Sequence, residues 1–141
     1  MVNVHLCDIQ RHQFQVPQFI LDSLILSGHG AEASIVVTQP RRISAVSVAA
    51  RVSAERIDDG SVGYTVRGDT KHSQATKLLF CTTGVVLRRL GSGDMLKDVT
   101  HIVVDEVHGN LDTMQRTTLI AHRFTNVLSM ETFFFWNSKS C

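Results

Sequence analysis

Apolar positions along this chain follow two periods. Pro17, Ile20, Leu21, Leu24 and Ile25 recur at the three-and-four spacing of a helix with one apolar stripe. Pro17 suits a first helical turn and Gly28 a C-terminal cap, so the pattern predicts an amphipathic helix over residues 17–26. Three short continuous apolar runs behave differently. They are Ile35 to Val37, the run from Lys77 to Cys81, and Ile102 to Val104. Such runs fit strands buried on both faces of a parallel sheet. Val62 to Val66 alternates, as a short strand does.

Between these strands stand helical segments. Residues 43–56 are rich in alanine, with Ile43, Val46 and Ala50 as the expected apolar face. Thr82 and Thr83 are expected to cap a short helix carrying Val86, Leu87 and Leu90, which Gly91, Ser92 and Gly93 end. Arg88 and Arg89 read as its solvated face. Asp58, Asp59 and Gly60 make a turn, and the polar stretch from Arg67 to Ala75 reads as a loop. Gly28, Gly30 and Ala33 imitate a dinucleotide fingerprint. The helix precedes them and the strand follows, which is the reverse of that motif, so they read as a helix-to-strand loop. Strand, turn and helix thus repeat, which predicts an α/β fold with a doubly wound parallel sheet.

The polar ends of the strands carry the candidate chemistry. Pro40 stops the first strand, leaving Arg41 and Arg42 at a strand-to-helix turn beside orphan backbone N–H groups. That is a place for phosphate, or equally for a solvated pair of charges. After Val104 the polarity switches at once to Asp105, Glu106 and His108. Ligands of open α/β sheets sit outside the carboxyl ends of the strands. Two carboxylates and an imidazole there suit phosphate–metal chemistry; the plain alternative is an acidic, solvated loop. His5 and His12 are too loosely spaced for a metal site and read as surface histidines.

The totals narrow the class. A length of 141 residues points to one domain, and 43% hydrophobic with 19% charged residues is a globular mix. A net charge of +1 excludes a global basic field, so any basic footprint is local. Cys7, Cys81 and Cys141 form no C-x-x-C, which argues against a zinc ribbon or a disulfide framework and for a reducing, intracellular compartment. No stretch reads as a secretory signal or a membrane span.

Three separated motifs stand in order: TQPRRISAVSVAARV from Thr38, CTTGVVLRRL from Cys81, and DEVH from Asp105. Together they resemble the first RecA-like domain of a DEAH-box helicase of the DEVH subtype. QVPQFILDS from Gln15 is similar to the start of the helix after that family's phosphate-binding loop, and VGYTVR from Val62 also fits the family. The resemblance implies a partial RecA-like, P-loop NTPase-type domain over residues 15–113, with 1–14 and 114–141 outside the match. It implies ATP and Mg²⁺ as cofactors. Asp105 would hold Mg²⁺ through water, Glu106 would orient the attacking water, and His108 would couple nucleotide state to the nucleic-acid path. Arg41, Arg42 and Thr83 would touch the backbone of RNA or another single strand, with Gln39 and Gly84 shaping those turns. No membrane is implied, and the compartment expected is cytoplasmic or nuclear. The oligomeric state is not indicated.

The family pattern is broken in places. No G-x-x-x-x-G-K-[ST] precedes Gln15; the residues there, LCDIQRHQF, have neither glycine nor lysine. Gly109 and Asn110 stand where the family continues Glu-Arg, and the Ser-Ala-Thr strand and the second RecA-like domain are absent. The chain therefore reads as an internal piece of a helicase, expected not to hydrolyse ATP alone. Its Asp105 strand is expected at an unpaired sheet edge; the FFFW run from Phe133 either closes a core or forms an exposed tail, and the lack of framing turns favours the tail. Two other readings stand beside it: a non-catalytic single-strand-binding remnant, and an unrelated α/β domain. Finding the Thr38 turn and the Asp105 strand end on opposite sheet edges would support the last.

Overall fold

The structure is a computed structural model that describes residues 14–92, 96, 98–104 and 133–135. In chain order the elements are α1 (Gln15–Leu26), β1 (Ile35–Gln39), α2 (Arg42–Glu55), β2 (Val62–Val66), β3 (Asp69–Lys71), β4 (Leu78–Thr82), α3 (Thr83–Gly91), β5 (His101–Val104) and β6 (Phe133–Phe135). The strands make one six-stranded sheet in the order β3-β2-β4-β1-β5-β6. Only β3 runs antiparallel.

β1 is central, and each of its five residues is buried. That is why its sequence is a continuous apolar run rather than an alternating one. Ile35, Val37, Leu78, Phe80 and Val103 point to one face and pack against Leu21 of α1 and Val48, Ala49 and Val52 of α2. Val36, Cys81, Ile102 and Val104 point to the other and meet Val86 and Leu90 of α3 with Leu96 and Val99. Helices cover both faces, so the fold is doubly wound, as the repeating pattern predicted. At the amino edge, Thr100 Oγ1 accepts from the Ser34 N–H and donates to the Ser34 carbonyl, both at 3.0 Å. This side chain ties the entry of β5 to that of β1.

The helix faces differ from expectation in detail. α2 buries Ala45, Val48, Ala49 and Val52, while Ile43 is 81% exposed and Ala50 is exposed. Two alanines on the buried stripe let the helix lie close on β2 and β4. Ile43 sits in the first turn, where the helix has not yet reached the sheet. In α1, Pro17 and Leu21 are buried, but Ile25 is half exposed because the stripe outruns the core beneath it.

Three further expectations are corrected. The polar stretch after Val66 is not a plain loop: Arg67 and Gly68 make a two-residue turn into β3, with Gly68 at φ +83°. Thr70 Oγ1 donates to Thr65 Oγ1 at 2.9 Å, and Tyr64 Oη donates to Asp69 Oδ2 at 3.1 Å. An edge strand solvated on both faces has no hydrophobic period to reveal it. Phe133–Phe135 is not a tail in its backbone but the strand β6, parallel to β5, with Phe134 opposite Val103. β5 is therefore not an open edge; aromatic residues favour strands, and an unpaired strand is a template for one. Arg89 is not simply solvated: it bridges to Asp98 at 3.1 Å, pinning α3 to the segment before β5.

Candidate nucleic-acid interface

The parallel register sets the site. Gln39 at the end of β1 lies opposite Thr82 at the end of β4. Thr38 lies opposite Val104, the last residue of β5. Three neighbouring strands thus open on one rim. The arginine turn and the strand that precedes Asp105 share an edge, so the opposite-edge placement that would support the unrelated-domain reading is not found. Asp105, Glu106 and His108 themselves lie outside the described residues.

Each helix begins where its strand stops. Pro40 cannot donate to a ladder, so β1 ends at Gln39. Arg41 then holds an extended backbone, φ −121° and ψ 145°, and α2 starts at Arg42. β4 passes into α3 with no intervening loop: Thr82 is the N-cap and Thr83 the first helical residue. Thr82 does not cap as expected, for neither its side chain nor that of Arg41 bonds to the helix that it precedes. Neither first turn carries an acid. Two helices, of 14 and 9 residues, therefore present N-terminal N–H groups to the same rim with no side-chain cap.

The side chains at this rim divide into buried and exposed sets. Thr38 and Gln39 are buried, and Thr38 Oγ1 has no hydrogen-bond partner among the described residues. Arg41 and Arg42 are exposed, and no ion pair or side-chain hydrogen bond joins either to another described residue. Thr83 is half-buried and Gly84 exposed, and a Cβ added at Gly84 would meet nothing within 4 Å. Gln39, Arg41, Arg42, Thr83 and Gly84, singled out from the sequence, thus lie along one edge of one sheet.

Sequence reasoning missed the groove beside this rim. About 710 Å³ of open space lies between the start of α2 and the β2–β3 hairpin, lined by Arg41, Arg42, Ser44, Ser47, Val66 and Asp69 among others. Arg41, Ser44 and Ser47 stand three residues apart, a helix-face spacing that could have flagged them. Asp69 had no such signal, because its place depends on the hairpin. On the α3 face of the sheet, Cys81 lines a second cavity of about 400 Å³. Burial pushes its thiol up to about 12, so it is no nucleophile at neutral pH.

Nucleotide chemistry finds less support in these residues. No G-x-x-x-x-G-K-[ST] occurs in the sequence, and among the described residues no three His, Cys, Asp or Glu side chains gather as metal ligands. Asp105 and Glu106, the residues expected to hold Mg²⁺, lie outside the described residues. Among the described residues, too, no helix is long and apolar enough to cross a membrane.

The fold is a partial RecA-like α/β sheet with its polar residues at the carboxyl rim. No family model matches the chain. Individual relatives do. Over 67% of its length the chain is 56% identical to the DExH-box ATP-dependent RNA helicase DExH1 and 57% identical to DExH3, both of Arabidopsis thaliana. It is 48% identical, over the same share, to the ATP-dependent RNA helicase dhx29 of Xenopus laevis. Over this stretch the chain belongs to the DEAH/DExH-box helicases. It spans 10%, 8% and 8% of the length of these three relatives.

Proposed function

We propose that this chain is the strand-gripping part of the first RecA-like domain of an RNA helicase of the DEAH type. One observation carries the reading. The register that sets Gln39 beside Thr82 opens two uncapped helix N-termini and two exposed arginines onto one rim. A phosphodiester backbone is the ligand such a rim suits. Backbone N–H groups and a positive helix end receive phosphate oxygens, and each guanidinium adds charge and two parallel donors. Arg41, Arg42 and Thr83 contact the phosphates in this reading. Gln39 and Gly84 shape the turns that present them. Backbone contacts give affinity without reading sequence. The relatives' names support RNA as the strand.

In the family reading, unwinding is driven by ATP with Mg²⁺, and Asp105, Glu106 and His108 have the roles of holding the metal through water, orienting the attacking water and coupling to the strand. Residues 15–113 form the helicase part in this proposal. With no phosphate-binding loop in its sequence, this chain alone binds a strand without turning over ATP, inside the cell and away from membranes.

The test is a fluorescence-anisotropy titration of labelled oligouridine at several salt concentrations, with an ATPase assay beside it. Binding should weaken with salt, and Arg41→Ala should flatten the log–log slope by about 0.7 for one lost phosphate contact. ATP hydrolysis should stay at background. Binding that ignores both salt and Arg41→Ala contradicts the interface. Hydrolysis lost on Glu106→Gln contradicts the inactivity.

A further inference from the structure

The groove beside the rim holds a group that phosphate does not want. Of the charged side chains lining it, Arg41 and Arg42 are cationic and Asp69 is a carboxylate. Asp69 stands at the start of β3, opposite Val66 across the two-residue turn. Its Oδ2 accepts from Tyr64 Oη at 3.1 Å, which fixes the carboxylate on the groove wall rather than leaving it to swing into solvent. A carboxylate accepts hydrogen bonds and cannot donate them, and it repels phosphate oxygens. It therefore serves the ligand only where the ligand offers a donor between its phosphates. A ribose chain offers one at every residue, the 2′-hydroxyl; a deoxyribose chain has none there. A carboxylate taking a ribose hydroxyl beside a helix N-terminus that takes the phosphate is a known division of labour in nucleotide recognition.

We propose that Asp69 accepts a hydrogen bond from a ribose 2′-hydroxyl and so makes the groove select RNA over DNA. This rests on the reading of the Arg41–Arg42 rim as a phosphodiester site and adds the sugar to it. The hydroxyl is the feature by which a protein can tell the two polymers apart at a given position. Arg41 and Arg42 hold either backbone; Asp69 favours one and disfavours the other. Tyr64 is the positioning residue, because it acts through the carboxylate and touches no ligand.

The experiment compares oligouridine with oligodeoxyuridine of equal length, so that base and charge are held constant. Each is titrated into the wild-type chain, Asp69→Ala and Asp69→Asn. The wild type should prefer the ribose strand by roughly tenfold, the worth of one hydrogen bond to a charged group. Asp69→Ala should bring the ratio close to unity while binding of the deoxy strand holds or tightens, since a negative charge has left the groove. Retained deoxy-strand binding shows that the groove is intact. If Asp69→Ala does not fold, Asp69→Asn keeps an acceptor for Tyr64, and its ratio should still fall below that of the wild type. Equal wild-type affinity for the two strands, or a ratio that survives both substitutions, overturns this inference and leaves the rim standing. Binding of neither strand overturns the rim and the inference together.

Discussion

Gly84 stands in the first turn of α3, where an added Cβ would meet nothing within 4 Å. Its backbone is helical, so no left-handed conformation requires glycine there. Alanine should therefore be tolerated by the fold and should raise stability by up to about 1 kcal/mol, the difference in helix propensity. If a strand's phosphate approaches that backbone, the same methyl group intrudes on it. Gly84→Ala should melt higher in a thermal scan and yet bind oligouridine several-fold more weakly. Unchanged affinity would take the start of α3 out of the interface. Tyr64 allows a second residue-level test, because it is the only tyrosine in the chain. Its hydrogen bond to Asp69, with some desolvation and the carboxylate's charge, holds the phenol above its ordinary value of 10.0. A bonded, neutral phenol gives up its proton later, so ultraviolet titration should place the midpoint above 10.0. Asp69→Ala should move it back down. A midpoint indifferent to that substitution would mean that the hairpin latch does not form in solution.

The hairpin of β2 and β3 is the element most dependent on a single residue. A Cβ at Gly63 would lie 2.5 Å from the Lys71 carbonyl oxygen and 3.0 Å from His72 Cβ, so backbone would have to move. Gly63→Ala should cost about 1–3 kcal/mol, the range for overpacking, in urea unfolding. It should also displace the groove wall that carries Asp69. Loss of strand preference with little loss of stability would contradict the first half of that expectation. What could be read of the elements beforehand followed from burial. β1, β4 and β5 lie between two layers of helices, so their apolar runs were visible in the sequence. β3 was invisible because Asp69, Thr70 and Lys71 are all exposed and carry no period. The stripe of α2 was misplaced for a related reason: Ile43 outweighs Ala45 and Ala49 on any hydrophobic scale, but small residues are the ones a close helix–sheet contact selects. For β6, the polar segments around the phenylalanines gave no framing turn, and strand pairing across the open side of β5 is not a local property.

At the scale of the whole molecule, the site is a consequence of topology. Parallel strands send their carboxyl ends to one side, so residues more than forty positions apart in sequence, such as Arg41 and Gly84, come to one rim. That much was legible in the order of apolar runs and polar ends. The buried hydroxyl of Thr38, unpartnered among the described residues, and the groove wall formed by the hairpin were not, because both depend on three-dimensional neighbours. The family match covers two-thirds of the chain, and the picture proposed for it is a nucleic-acid-handling sheet edge. The most direct test of that picture maps the ligand onto the backbone. Amide spectra of the isotope-labelled chain, recorded while oligouridine is added, should shift at Arg41 to Ser47, at Thr83 and Gly84, and at the Arg67–Asp69 turn. Shifts confined to the amino edge of the sheet, around Ser34 and Thr100, or no shifts at any oligonucleotide concentration, would contradict the account.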